Sequence, residues 1–128
     1  MKSFLRTFVT EKSFDDTVAA IQQKSAEKGF RVLHTHDVAA TLAEKGFPRE
    51  PLKIIEICNA KYASQVLSKE PRIAIMLPCP ISVWVADGRT HVCTMLPTAI
   101  SDFFPEAGVE DIAAAVEKGV LEILQEAC

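Results

Sequence analysis

Asp87-Gly88 lies between two apolar, β-branched runs, Ile81–Ala86 and Thr90–Leu96. An Asp-Gly pair supplies the left-handed backbone that a two-residue hairpin demands. Strands joined by such a turn must run antiparallel, whereas a parallel pair needs a long crossover. A doubly wound parallel sheet is therefore excluded for a chain that also carries clear helical patterns. Ser13, with Asp16 three residues on, has the form of a helix start, and Phe14, Val18, Ile21 and Ser25 recur at helical spacing up to Gly29. Val109, Ile112, Val116, Val120, Ile123 and Leu124 form a second, longer stripe at the end of the chain.

Between these helices the pattern alternates. Residues 3–10 and Phe30–His36 read as strands, and Asp37 is placed to cap a short helix, Val38–Lys45, that Gly46 ends. The Phe47–Pro51 stretch is a turn, Leu52–Cys58 a third strand, and Asn59 the cap of a helix over Ala60–Ser68. Arg72–Leu77 reads as a strand, parted from Ile81–Ala86 by Pro78 and Pro80, which point to a bulge or a sheet edge. Pro97–Gly108 reads as irregular. The expected architecture is α+β in a single domain over residues 1–128. A mostly antiparallel sheet carries the two long helices on one face, with extra short helices. The other face is left for solvent, the short helices or a second subunit, and the apolar third and fourth strands favour a dimer or a covered pocket.

Fourteen basic and 17 acidic residues leave a net charge of −3. With no basic block, binding to nucleic acid through phosphate neutralisation is disfavoured. Arg6, Glu11 and Lys12 interrupt the N-terminal region before any apolar run of signal-peptide length, and no segment approaches membrane-spanning length. The expectation is a cytoplasmic protein without a membrane partner. Its four cysteines, Cys58, Cys79, Cys93 and Cys128, show no C-x-x-C or zinc-finger spacing, so free thiols are expected.

Chemistry concentrates at Glu56-Ile57-Cys58-Asn59. Cys58 falls where a strand hands over to a helix N-terminus, whose unpaired amides and dipole stabilise an anion. A thiolate there has a depressed pKa, aided by Lys61 and opposed by Glu56; the bland alternative is a buried thiol filling space beneath the cap. Cys79, between Pro78 and Pro80, is the second candidate sulfur; if its strand neighbours that of Cys58, the two form a dithiol or a soft-metal pair. His34 and His36 share a strand face with ligand spacing for a metal such as zinc, to be completed by Cys58 or Glu56. His36, next to Asp37, is more cheaply explained as an exposed strand end. His91 with Cys93 is a weaker pair of the same kind, and Trp84 and Arg89 flank the hairpin as surface or dimer-rim residues. No nucleotide-binding, metalloprotease or nucleophile-elbow motif is present.

The run Glu56-Ile57-Cys58-Asn59-Ala60-Lys61-Tyr62-Ala63, then Leu67, Leu77-Pro78-Cys79, a Val-rich strand and the Asp-Gly turn, resembles the family known as domain of unknown function 302. The preceding His36–Leu42 segment with Lys45-Gly46 is similar to its middle part. The resemblance implies a β-α-β(4)-α fold of the TATA-binding-protein type and a homodimer, with no established activity. Ala60 stands where the family commonly has proline, which leaves the helix start intact. Pro80 stands where it often has a basic residue, which removes a positive neighbour of Cys79. Two functions are thus expected in competition. One is a thiol-dependent role in sulfur, redox or soft-metal handling, through Cys58 and Cys79 with Glu56, Asn59 and Lys61 around them. The other is a non-enzymatic ligand-binding or dimeric interaction module, with Leu52, Ile54, Ile73 and Ile75 on the second sheet face and structural cysteines.

Overall fold

A computed structural model describes residues 3–128. Five strands, β1 (Leu5–Thr10), β2 (Arg31–Asp37), β3 (Leu52–Cys58), β4 (Cys79–Ala86) and β5 (Arg89–Met95), form one sheet in the order β1-β5-β4-β3-β2. Every pairing is antiparallel. The β4–β5 turn places Asp87 at φ 54° and Gly88 at φ 72°, both left-handed as the tight hairpin requires. Helices α1 (Phe14–Glu27) and α5 (Glu110–Ala127) carry the two long stripes. Ser13 Oγ accepts the Asp16 amide at 3.1 Å, so the expected cap forms.

Side chains alternate across a strand, and the register decides which set goes inward. Ile55 faces Ile81 across β3 and β4, and Val83 faces Val92 across β4 and β5. With Ile57 they build a core against Val18 and Ile21 of α1 and Val120, Ile123 and Leu124 of α5. Each such fully buried side chain contributes roughly 1.5–3 kcal/mol. At the surface, Lys28 Nζ meets Glu126 Oε2 at 2.7 Å and ties α1 to α5. Both long helices therefore cover one face, as the sequence pattern indicates.

Three assignments are corrected. Arg72–Leu77 is not a strand: Pro71–Met76 is a 3-10 helix, started by Pro71 and capped by Glu70, whose Oε2 accepts the Arg72 amide at 3.0 Å. Ile73 is buried in a separate small core and Ile75, 85% exposed, stands beside Glu56 and Pro80, so neither is a strand residue of the second sheet face with Leu52 and Ile54. The proline pair does not mark an edge either, because β4 sits between β5 and β3. Pro80 is tolerated near the strand start, where its carbonyl accepts the Thr94 hydroxyl at 3.1 Å. Within Pro97–Gly108 a short helix, α4 (Ala99–Phe103), appears. It is held by Glu117 of α5, whose Oε1 accepts from the Thr98 hydroxyl at 2.6 Å and its amide at 3.2 Å. That tertiary anchor leaves no trace in local sequence.

Helix α2 (Val38–Glu44) follows β2, and α3 (Ala60–Lys69) follows β3. Helix α3, the 3-10 helix, α4 and the start of α5 enclose a second, smaller core of Val66, Ile73, Ile100 and Val109. Among the described residues no helix is long and apolar enough to cross a membrane.

Ile55→Ala should lower unfolding free energy by about 2–5 kcal/mol in urea titration, since Ile55 is fully buried. Ile75→Ala, at an exposed position, should change it by no more than about 0.5 kcal/mol.

Candidate functional site

Strand β3 ends at Cys58 and the chain turns directly into α3. Asn59 makes that turn: its Oδ1 accepts the Tyr62 amide at 3.2 Å, and its Nδ2 donates to the Gly29 carbonyl at 3.2 Å. The side chain thus caps α3 and locks it to the α1–β2 corner, where Gly29 adopts φ 82°. Two of its polar groups are already engaged, which assigns Asn59 a positioning role. On the neighbouring strand Cys79 stands opposite Ile57, one residue before Cys58.

Cys58 and Cys79 line one cavity, together with Phe30, Tyr62, Val66, Leu77, Ile100 and Val116. It lies on the seam between the two cores: Phe30, Cys79 and Val116 belong to the larger, and Val66, Leu77 and Ile100 to the smaller. The cavity measures about 30 Å³. The walls are almost wholly apolar. Phe30 reaches this position because Gly119 of α5 has no side chain, and a Cβ there would come within 2.8 Å of its ring. Phe30, Ile100, Val116 and Gly119 were invisible as site residues in the sequence, since each reads only as core or helix.

The electrostatics oppose the expected thiolate. Burial pushes the Cys58 thiol up. Burial, followed by the charge of Cys58, pushes Cys79 up to about 11. A helix N-terminus contributes typically 0.3–1 kcal/mol to a nearby anion, and in this apolar setting desolvation outweighs it. Lys61 is exposed and does not line the cavity, so it supplies no close counter-charge. Glu56, two residues back along β3, does not line the cavity and is engaged by His36, Nε2 to Oε1 at 2.9 Å.

His34 and His36 do share a face, with ring centroids 4.3 Å apart, and β2 does adjoin β3. The register sets His34 opposite Glu56, but Cys58 opposite Arg31. A bulge between Val32 and His34 shifts the pairing. Cys58 is therefore not the residue facing either histidine. Among the described residues no three His, Cys, Asp or Glu side chains gather to hold a metal ion. His91 stacks on Trp84, with centroids 5.3 Å apart and planes at 16°, and bonds the Ala86 carbonyl at 3.1 Å. Cys93 lies 3.6 Å from the Thr7 hydroxyl. His91 thus braces the hairpin, and Cys93 faces β1.

A family model described as Domain of unknown function DUF302 matches residues 6–127. Among solved structures, the crystal structure of an uncharacterized conserved protein DUF302 from Bacillus stearothermophilus is similar, with 26% identity and a TM-score of 0.93. The match covers 99% of this chain and 100% of that one. No curated protein matches.

Raising the Cys79 pKa from 9.0 to about 11 means the folded protein keeps that proton longer than the unfolded chain. The associated stability is complete below about pH 9 and is lost as pH climbs through about 11, with a ceiling of roughly 3 kcal/mol. Urea titrations under reducing conditions from pH 7 to 11 should show this decline, and Cys79→Val should flatten it.

Proposed function

Since the chain belongs to the DUF302 family, whose name carries no activity, we propose a function from the cavity itself. The protein is a binding module that takes a small, soft ligand between Cys58 and Cys79, and not a thiol enzyme working through a nucleophilic Cys58. The observation that carries this reading is that both sulfur-bearing residues line one apolar space. Thiols kept protonated by burial are poor nucleophiles, because the thiolate is the reactive form. They remain good soft donors and polarisable wall atoms. Size narrows the ligand. An apolar cavity of about 150 Å³ seats benzene, and this one measures about 30 Å³. A ligand of very few atoms fits within, and anything larger must extend through the mouth.

Alkylation by iodoacetamide at pH 7 tests this. Cys58 and Cys79, followed by peptide mass spectrometry, should react more slowly than a free cysteine peptide. Modification of Cys58 faster than that peptide would return the site to thiol catalysis.

The uncovered face of the sheet favours a second role, in self-association. Leu5 and Val9 of β1 are 46% and 51% exposed, and Met95 stands beside Leu5. Monomers rarely leave contiguous apolar surface open, and a homodimer packed through this face would bury it. Sedimentation equilibrium should give a dimer for the native chain and a monomer for Val9→Lys. A monomeric native chain would remove this role without touching the cavity.

A further inference from the structure

We propose that β1 is a self-pairing edge: two copies of this chain join β1 to β1, antiparallel, with Thr7 of each copy at the two-fold axis. The inference rests on the self-association read from Leu5 and Val9, and names the segment that makes the contact.

The phase of the hydrogen bonds along β1 carries it. Leu96 donates its amide to the Phe4 carbonyl at 2.7 Å, one residue before the Leu5–Met95 pair. Bonded and non-bonded positions alternate along an antiparallel pair. Phe4, Arg6, Phe8 and Thr10 therefore bond β5, and Leu5, Thr7 and Val9 turn their backbone groups to the free edge. The Ser3 hydroxyl marks that direction, since it meets both the amide and the carbonyl of Leu5 at 3.3 Å. Contacts of that length are weaker than ladder bonds, and a neighbouring strand can replace them. Thr7 and Val9 are exposed, and β1 stands at the end of the sheet order.

The two edges of the sheet differ. A bulge between Val32 and His34 interrupts β2, and bulges turn an edge away from further pairing. β1 keeps one register with β5 over its whole length, contains no proline, and leaves Leu5 and Val9 46% and 51% exposed. An edge of that kind is a template for another strand.

Symmetry and charge then select the register. A two-fold axis perpendicular to the sheet keeps like face with like face, and the interface is isologous. Only Leu5, Thr7 and Val9 can form its bonded pairs. Centring on Thr7 sets Leu5 against Val9 of the second copy twice, with about six hydrogen bonds in all. It also sets Arg6 against Phe8 of the second copy, a cation beside an aromatic ring. Centring on Arg6 would oppose two guanidinium groups directly, which destabilises a strand pair. Centring on Phe8 would set Leu5 against the Glu11 carboxylate.

Hydrogen exchange of the native chain at high and low concentration tests the contact. The Thr7 and Val9 amides should exchange slowly when concentrated and quickly on dilution, while those of Arg6 and Phe8 stay protected at both. Thr7→Pro removes an outward amide only, a change that edge strands tolerate, so circular dichroism should show a folded chain. Its dimer should be weaker by roughly tenfold or more in sedimentation equilibrium, because two hydrogen bonds are lost at the axis. Leu5→Glu and Val9→Lys should each weaken association, and the double variant should associate more tightly than either. If Thr7→Pro fails to fold, hydrogen exchange and the charge pair carry the test. A dimer whose Thr7 amide exchanges freely, or a double variant no tighter than the single ones, would overturn the edge contact and leave association through the sheet face. A native chain that stays monomeric removes both, and leaves the edge to an extended segment of another protein.

Discussion

Helix α5 is shared by two apolar cores, and the rest of the molecule is arranged around that fact. Its C-terminal turns bring Val120, Ile123 and Leu124 onto the sheet against α1. Its beginning, with Val109 and Ile112, closes the smaller core beneath α3 and α4. One continuous stripe thus spans two packing problems that were solved by different partners. Side chains from two independently packed clusters do not interlock perfectly where they meet. The space left over lies on that seam, bounded by Val116 of α5 on one side and Tyr62 and Val66 of α3 on the other. Interiors are otherwise packed as densely as organic crystals, which makes a residual apolar space a property of this particular arrangement of helices.

The same seam sets the chemistry of the sulfurs. A cysteine at the N-terminus of a helix has two opposing influences on it: the aligned amides favour its anion, and removal of water disfavours it. In solution-exposed positions the first decides. Here the walls are hydrocarbon, Lys61 is out in solvent, and the second decides, so Cys58 and Cys79 are held as thiols. Burial thus opposes the anion that the helix N-terminus favours. The polar groups that were candidates beside them have other duties. Asn59 is engaged as a cap and a tether, and Glu56 pairs with His36 of the adjoining β2.

Two faces of one sheet consequently carry different character. The helix-covered face holds the core and, at its margin, the dithiol cavity. The uncovered face holds His34, His36 and Glu56, with Leu5 and Val9 toward the opposite edge. Strand alternation sorts Ile55 and Ile57 of β3 to the covered face and Ile54 and Glu56 to the uncovered one. The register sets Glu56 opposite His34 and Arg31 opposite Cys58.

The amino-acid sequence by itself determined the elements whose cause is local. The Asp87-Gly88 hairpin, the caps at Ser13, Asp37 and Asn59, and the two long amphipathic helices follow from residue chemistry within a few positions. Antiparallel topology and helices on one face follow in turn from these. Tertiary structure alone decided the remainder. The Pro71–Met76 segment has the apolar, β-branched content of a strand, yet it turns as a 3-10 helix so that Ile73 can fill the smaller core. Helix α4 exists because Glu117, far along the chain, accepts from Thr98. The neighbourhood of Cys58 and Cys79 was legible as a possibility, but its dryness was not, because desolvation depends on which distant side chains close around a group. Phe30, Ile100 and Val116 reach the sulfurs only when the chain has folded, and Phe30 needs the bare backbone of Gly119 to do so.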